Sequence, residues 1–340
     1  MLIIILIYKE TIVDFLNDYG LFLAKSVTAI ACFSVIVAIA SAGKKSNKQK
    51  GKIVITNLND KFNKMKHSIL EKISSKKSIK ELDKAQKEEK KHQLKKGSNK
   101  HNLFVINFNG DKSASSADNL REEITAILSA ALEGDEVLVN VESPGGQVHS
   151  YGFAASQLQR IKEKQIKLTV AIDKLAASGG YLMASVADEI IAAPFAIVGS
   201  IGVIASVPNF NKVLNKFDVD YNEYTAGEYK RTISVLGENT KEGVDKFKQQ
   251  LEEVHVMFKS HIQNFRPKVN LDKVATGEHW YGSKALELKL VDKIQTSDDY
   301  ILQHSSDFNV FQIEYKTKEK MGHKLRAMLN ILKDELKISV

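Results

Sequence analysis

Apolar and polar residues follow two alternating patterns through the middle of the chain. Short apolar runs at 103–108, 136–142 and 166–172 predict three strands. Between these runs, apolar residues recur every three or four positions, which predicts helices over residues 120–131 and 151–164. Strands that alternate with helices at this spacing indicate βαβ units with right-handed crossovers. The pattern therefore predicts an α/β fold.

A longer apolar run at 189–207 is long enough to suggest a membrane span. Pro194, Gly199 and Gly202 divide this run into short pieces, so buried strands in a layered core fit it better. Further helical patterns cover residues 241–265, 283–289 and 317–338.

The first 43 residues predict a membrane anchor. From Ser26 to Gly43 there are 18 residues without a charge, and Lys25 can extend from one end toward the lipid headgroups. A cleaved signal peptide is the alternative, with the small residues at 40–42 as its cleavage site. Acidic residues before the run and lysines directly after it favour a retained transmembrane helix at about 20–43.

The positive charge of the chain is concentrated in residues 44–100. The formal net charge of the whole chain is +8, but this segment alone holds 19 lysines against 6 acidic residues. Because the segment directly follows an apolar run, a membrane surface is favoured as its partner over nucleic acid. Apolar residues from Leu58 to Ile73 recur every three or four positions, which predicts either a short coiled-coil stalk or a solvated charged helix.

These patterns divide the chain into four segments. We expect a membrane anchor at 1–43, a lysine-rich helical linker at 44–100, a globular domain at 101–316 and an amphipathic helix at 317–340. With Cys32 as its single cysteine, the chain can form no internal disulfide, and it contains no H-E-x-x-H pattern of a zinc hydrolase. We therefore expect neither a metal nor a cofactor.

Two glycine-bearing turns follow neighbouring predicted strands. The first is "ESPGGQVHSYG" at 142–152, just before a predicted helix. In it Pro144 restricts the backbone conformation, whereas Gly145 and Gly146 allow a wide range of backbone conformations. The second, "AASGGY", places Ser178 ahead of a glycine pair. Backbone N–H groups at such turns can bind an oxyanion, and parallel strands end at the same edge of a sheet. Ser178 is thus a candidate nucleophile, although its small neighbours, taken alone, fit close packing against a sheet better.

A nucleophilic serine needs a base. His149 is the nearest preceding histidine, but a histidine in a turn is more often solvated or part of a helix cap. A lysine whose pKa is lowered by burial is the other base that a serine can use. Lys230, between Tyr229 and Arg231, is one of 49 basic residues, and residue chemistry alone does not select it.

Five motifs, in chain order, carry a resemblance to a known family: "ESPGG", "DKLAASGGYLMA", "APFAIVGSIGVI", "NFNKVLNKFDVDYNEYTAGEYKRT" and "ATGEHWYG…LVD". In these motifs the chain resembles the S49 signal peptide peptidase family, from the N-terminal anchor to about residue 300. The resemblance implies a Clp/crotonase-like layered βαβ superhelix and a location in the inner membrane of a Gram-negative bacterium. The chain departs from the family pattern at "KLVD", where Lys289 replaces a glycine that favours a left-handed helix cap.

The resemblance also implies which residues form the site. The serine of "ASGG" is the nucleophile, Ser178, and the lysine of "EYKR" is its general base, Lys230. Gly145 and Gly179 would supply the N–H groups of the oxyanion hole, and Ser200 would orient the lysine amine.

A membrane-anchored serine endopeptidase with a Ser–Lys dyad is therefore the expected function. It would cleave signal-peptide remnants or membrane and exported polypeptides through an acyl-enzyme, and the resemblance implies a ring-like homo-oligomer. The alternatives are a crotonase-type acyl-CoA enzyme, which shares the fold without the dyad, and a non-enzymatic membrane scaffold. The positive-inside rule places the catalytic domain in the cytoplasm, whereas the family is commonly regarded as facing the periplasm or as unresolved, so the side of the membrane stays open.

Overall fold

The computed structural model describes residues 18–34, 51–75, 84, 88 and 100–317. These residues belong to two units. Lys52–Lys316 form one compact unit, and Met1–Gly51 together with Thr317–Val340 form the other.

The described part of the second unit is chiefly a helix, α1, at 18–34. Among the helices that the structure describes, none combines the length and the apolar character needed to cross a bilayer. The transmembrane helix predicted at about 20–43 continues beyond α1 into residues outside the described part. The C-terminal helix predicted at 317–340 also lies outside it, apart from residue 317.

A mixed seven-stranded sheet forms the centre of the compact unit. Its strands are ordered β1-β10-β2-β3-β4-β6-β9, and all neighbours are parallel except β1 and β10. The strands are β1 (Lys52–Asn57), β2 (Asn102–Asn109), β3 (Glu136–Glu142), β4 (Lys167–Ile172), β6 (Glu189–Ala192), β9 (Lys293–Ile294) and β10 (Asn309–Lys316). The three strands predicted from apolar runs are β2, β3 and β4, and the α/β fold is confirmed.

A second, three-stranded sheet lies at the carboxyl end of β3. It contains β5 (Leu175–Ala177), β7 (Ile197–Gly199) and β8 (His279–Tyr281); β5 and β7 are parallel, and β7 and β8 are antiparallel. Ser143, directly after β3, forms a bridge with Ala176 of β5. The end of a central strand is thereby joined to the small sheet.

Helices cover both faces of the main sheet. After α1 they are α2 (Leu58–Ile73), α3 (Ala117–Ala130), α4 (Val148–Glu163), α5 (Gly179–Ala184), α6 (Asn211–Lys216), α7 (Lys241–Phe265), α8 (Leu271–Val274), α9 (Gly282–Glu287) and α10 (Ser297–His304). Along β2, Phe104 and Ile106 face the larger core with α3 and α4, whereas Leu103 and Val105 face a smaller core with α2 and α10. Burial on both faces explains why the parallel strands are continuous apolar runs.

The structure differs from the sequence prediction in the lysine-rich segment. Residues 52–73, which we placed in a linker, form β1 and α2, and β1 pairs with β10 at the edge of the sheet. Leu58 is buried in the smaller core, and the Asn59 side chain donates to the carbonyl oxygens of Ser305 and Phe308. The first turn of the predicted stalk is therefore part of the compact unit.

The apolar run at 189–207 also behaves differently at its two ends. Its first part forms β6 and β7, separated by a turn at Pro194, as the breaks in the sequence predicted. Beyond Ile201, which is buried, the chain has no regular structure and Ile204 is 87% exposed. The prediction of buried strands therefore holds only as far as the end of β7.

Candidate active site

Ser178 occupies a sharp turn between β5 and α5. Its φ of 51° and ψ of −117° are strained for a residue with a Cβ, at a cost of about 1–3 kcal/mol. The strand on one side holds this conformation through a 2.7 Å hydrogen bond from the Ser178 N–H to the Gly199 carbonyl. On the other side, the Ser178 carbonyl accepts the N–H of Leu182 in the first turn of α5. A serine in a strained strand–turn–helix connection is the geometry of a nucleophile elbow.

Ser200 lies beside this turn, directly after the neighbouring strand β7. Ala177 and Gly199 are paired in parallel strands, so Ser178 and Ser200 each follow one member of that pair. Ser200 also has a positive φ, 53°, and its N–H donates to the Glu278 carbonyl at 2.7 Å. The structure thus places the backbones of the two predicted serines side by side.

The loop that contains Gly145 packs directly against the serine turn. Gly145 has a φ of +83°, and a Cβ at this position would lie 2.7 Å from both the Gly179 nitrogen and the Ser178 Cβ. At Gly146 a Cβ would lie 2.1 Å from the Lys112 carbonyl oxygen. The two glycine turns therefore converge, as the sequence predicted, although the serine turn follows β5 of the small sheet and not β4. Neither Gly145 nor Gly146 leaves room for a side chain.

The N–H of Gly145, however, is already engaged. It donates to the Ser143 hydroxyl at 3.1 Å, and Ser143 is fully buried. No acceptor among the described residues is recorded for the N–H of Gly146 or Gly179. The sequence prediction gave the donor role to Gly145, whereas the unengaged N–H groups beside the serine turn belong to Gly146 and Gly179.

A buried tyrosine that the sequence analysis missed completes this arrangement. Tyr151 on α4 has no exposed surface; its hydroxyl lies 2.5 Å from the Ser143 Oγ and donates to the Asp111 carbonyl at 2.7 Å. Burial raises the pKa of the Tyr151 phenol, so the group remains a neutral hydrogen-bond donor. The one indication in the sequence is the position of Tyr151 within the "ESPGGQVHSYG" motif. A tyrosine on the apolar face of a helix is, however, first interpreted as a core residue.

Lys230 belongs to the exposed segment between β7 and α7. Its side chain is exposed, and its backbone N–H donates to the Gly227 carbonyl. Within the described structure, no hydrogen bond joins the Lys230 ammonium to Ser178 or Ser200. The neighbouring Arg231 is also exposed and forms an ion pair with Glu223. The contacts of the described residues therefore connect four of the five predicted residues, and these contacts do not include Lys230.

The segment that carries Lys230, residues 203–236, exposes many apolar side chains. Among them are Ile204 (87% exposed), Phe217 (71%) and Tyr224 (92%). The segment folds back on itself, because the Asn209 side chain donates to the carbonyls of Ser234 and Gly237. In one copy of the chain, this folded segment leaves a large apolar surface facing solvent.

The other candidate groups take no part in this arrangement. His149, the alternative base, is exposed in the first turn of α4, and no hydrogen bond to its ring is recorded in the described structure. No group of three or more His, Cys, Asp or Glu side chains in the described residues is placed to hold a metal ion.

A strained serine facing a glycine loop is the arrangement of a serine hydrolase. The family model "Peptidase family S49 N-terminal" matches residues 14–158, and the model "Peptidase family S49" matches residues 160–310. The chain therefore belongs to peptidase family S49 and is a serine protease.

Several bacterial relatives are similar over most of their length. A Haemophilus influenzae protein named "Probable protease SohB" is 47% identical over 321 residues, which cover 91% of each chain. A Buchnera aphidicola protein of the same name is 47% identical over 302 residues, covering 85% of this chain and 99% of the relative. Among solved structures, a membrane-bound stomatin-specific protease with a substrate peptide is 13% identical, covers 68% of this chain and 99% of its own, and gives a TM-score of 0.43.

Proposed function

We propose that the protein is a membrane-anchored serine endopeptidase that uses Ser178 as nucleophile and Lys230 as general base. The observation that carries this proposal is the strained turn at Ser178, packed against the Gly145–Gly146 loop. A strained turn can present the serine hydroxyl at the end of a strand, whereas a relaxed turn would direct the side chain elsewhere. The strain at Ser178 is therefore explained by a role as nucleophile.

The reaction is acyl transfer in two stages. Neutral Lys230 accepts the proton of the Ser178 hydroxyl as the serine oxygen attacks the carbonyl carbon of a peptide bond. The tetrahedral intermediate collapses, the C–N bond breaks, and Lys230 passes the proton to the leaving amine. Lys230 then takes a proton from a water molecule as the water oxygen attacks the acyl carbon, and it gives that proton to the Ser178 oxygen as the ester C–O bond breaks. Ser200, beside the nucleophile, would accept or donate a hydrogen bond that orients the lysine amine.

The N–H groups of Gly179 and Gly146 supply the oxyanion hole in this proposal. Gly179 is the first residue of α5, where an N–H has no partner within the helix. Gly146 replaces Gly145 as the second donor because the Gly145 N–H donates to the Ser143 hydroxyl. Removal of one such donor costs about 3 kcal/mol of transition-state stabilisation in a comparable protease.

A neighbouring subunit is needed to complete the site in this proposal. Lys230 is exposed and lies on the apolar segment 203–236, which a second copy of the chain would cover. Burial between subunits would also exclude water from the lysine and from the serine that it serves. We therefore propose a homo-oligomer as the active species.

The membrane attachment rests on the sequence. The uncharged run at 26–43 and the lysines after it would hold the protein in the inner membrane and against anionic lipids. Substrates are then extended polypeptides close to the bilayer, such as signal-peptide remnants or membrane and exported proteins. Protease accessibility in spheroplasts and in inverted vesicles would establish which side carries the catalytic domain.

A serine-directed fluorophosphonate probe tests the nucleophile. We expect the detergent-solubilised full chain to be labelled, and Ser178→Ala to lose the label, because only an activated serine reacts with this probe at neutral pH. Ser156→Ala, which removes an exposed hydroxyl from α4, is the matched control and should label like the wild type. An unlabelled wild-type protein, or full labelling of Ser178→Ala, would contradict the proposal and favour an acyl-CoA enzyme or a scaffold.

A further inference from the structure

Three hydrogen bonds run in series behind the two glycine turns. They join the Gly145 N–H to the Ser143 Oγ (3.1 Å), the Ser143 Oγ to the Tyr151 Oη (2.5 Å), and the Tyr151 Oη to the Asp111 carbonyl oxygen (2.7 Å). Ser143 and Tyr151 are both fully buried, so water does not compete for these groups.

The direction of every bond in this series is fixed by its two ends. A backbone N–H can only donate, and a backbone carbonyl can only accept. Tyr151 therefore gives its proton to Asp111 and accepts from Ser143, and the Ser143 hydroxyl accepts from Gly145. With one proton per hydroxyl, the series has a single arrangement, and it leaves the Gly145 N–H pointing into the protein.

The tyrosine also packs against the serine turn through its ring and against the loop at Gly110 through its hydroxyl. A Cβ on Gly179 would lie 2.4 Å from the Tyr151 Cγ, and a Cβ on Gly110 would lie 2.4 Å from its hydroxyl. Ser143 is equally central, since its carbonyl accepts the N–H of Ala177, directly before the nucleophile turn. Tyr151 and Ser143 thus connect the oxyanion loop, the serine turn and the loop at Gly110.

We propose that Tyr151 and Ser143 are positioning residues for catalysis. They hold the Gly145 N–H toward the protein interior and thereby fix the orientation of the next peptide group, between Gly145 and Gly146. In that orientation the Gly146 N–H faces the substrate carbonyl together with the Gly179 N–H. This inference rests on the proposed function. It assigns these two residues a role in transition-state stabilisation, with no contact to the substrate.

Tyr151→Phe tests this role in the detergent-solubilised full chain. The substitution removes one hydroxyl, keeps the ring against Gly179, and leaves the Ser143 hydroxyl without its acceptor. We expect kcat for peptide hydrolysis to fall by about tenfold with KM changed less than about twofold, because the oxyanion donors act mainly in the transition state. Ser143→Ala should have a similar effect, since it removes the acceptor of the Gly145 N–H.

A matched pair of ligands separates positioning from a general loss of structure. A capped trileucine aldehyde forms a tetrahedral adduct with serine, whereas the corresponding alcohol binds without reacting. Tyr151→Phe should weaken binding of the aldehyde by about tenfold and leave the affinity for the alcohol unchanged. Only the aldehyde adduct, a transition-state analogue, places an oxyanion in the oxyanion hole. Equal weakening of both ligands would overturn the inference.

Tyr300→Phe is the control variant. Tyr300 is another buried tyrosine, and its hydroxyl contacts Thr169 and Glu136 near the amino ends of β4 and β3, at the opposite end of the strands from Ser143. We expect Tyr300→Phe to lower the melting temperature while kcat stays within about twofold of the wild type. An equal loss of kcat in both variants, or an unchanged kcat in Tyr151→Phe, would overturn the positioning role.

The two proposals fail in different ways. A wild-type protein that fluorophosphonate does not label would overturn the proposed function, and this inference with it. A labelled wild type whose labelling rate is unchanged by Tyr151→Phe would overturn the inference alone.

Discussion

Individual residues with a positive φ show where the backbone of this chain is under strain. Lys289, at the end of α9, has a φ of 63°, a conformation that costs a residue with a Cβ about 1 kcal/mol relative to glycine. Its carbonyl oxygen accepts from Arg266, which also pairs with Asp292 at 2.7 Å, so the surrounding contacts hold the turn in place. The sequence predicted a weakened cap here, and the observed φ confirms that a left-handed residue is required.

Lys289→Gly should therefore stabilise the protein. We expect a gain of about 1 kcal/mol, or a rise of about 2–4 °C in the melting temperature, because the left-handed conformation no longer strains a Cβ. Thermal unfolding of the two purified proteins measures this difference. Lys248→Gly, at an exposed position inside α7, should lower the melting temperature by a similar amount. A lower melting temperature for Lys289→Gly would contradict the strain interpretation.

The predictability of the site also differs from residue to residue. The sequence pattern predicted that the two glycine turns converge, because turns after neighbouring parallel strands end at one edge of a sheet. The roles of Ser178, Gly145 and Gly179 came from the family resemblance. Tyr151 was missed because its role depends on two hydrogen bonds that join positions 8 and 40 residues away, and spacing along the chain does not reveal them. Lys230 could be selected only by family resemblance, since its own segment is exposed and carries no periodic pattern.

At the scale of elements, a buried carboxylate joins α3 to β10, the second strand of the main sheet. Glu123 is 6% exposed, and its Oε1 accepts the N–H of Tyr315 in β10 at 2.8 Å. Burial raises the pKa of this carboxyl to about 7, despite the opposing effect of that hydrogen bond, and the nearby charge of Glu314 adds to the rise. The folded state therefore binds a proton at Glu123 over a pH range in which the unfolded chain has released it.

The contribution of Glu123 to the free energy of unfolding should decrease as the pH rises. Because the folded pKa of Glu123 is higher than the unfolded value of 4.5, its protonated form favours folding below about pH 4.5, and this contribution is lost up to about pH 7. Glu123→Gln should remove this dependence and be more stable than the wild type at pH 8 by up to about 3 kcal/mol. Urea unfolding between pH 4.5 and pH 8 measures the difference. The exposed Glu133→Gln should track the wild type, and a Glu123→Gln profile parallel to the wild type would contradict the assignment.

Elements were predictable where burial alone determines the pattern. β2, β3 and β4 are buried on both faces, so their apolar runs stand out from the sequence. β1 is an edge strand with lysine and threonine among its residues, and its partner β10 lies at the other end of the chain. The pairing of β1 therefore depends on a contact across the whole domain, which no local pattern shows.

At the scale of the whole molecule, the exposed apolar segment 203–236 and the position of Lys230 have the same explanation in our proposal. A second subunit that covers the segment would bring the lysine of one copy to the serine of the next. In a closed ring of such contacts, every copy of the apolar segment would be covered by a neighbouring subunit.

Mixing two inactive variants tests this arrangement. When equal amounts of Ser178→Ala and Lys230→Ala protein exchange subunits, about a quarter of the sites should combine an intact serine with an intact lysine from a neighbour. We therefore expect recovery of up to about a quarter of the wild-type peptidase activity. Ser178→Ala mixed with the double variant is the control and should stay inactive. No recovery after verified subunit exchange would show that Lys230 serves the serine of its own chain.

The antiparallel pairing of β1 with β10 has a mechanical consequence. Lys52 is paired with Lys316, so the chain enters and leaves the compact unit at neighbouring points on one edge of the sheet. A force applied between residues 51 and 317 would open these two strands like a zipper, loading their hydrogen bonds one after another instead of all together. Pulling through these two residues in an optical trap should therefore detach β1 at a lower force than pulling along the strands, with the remaining parallel sheet still folded.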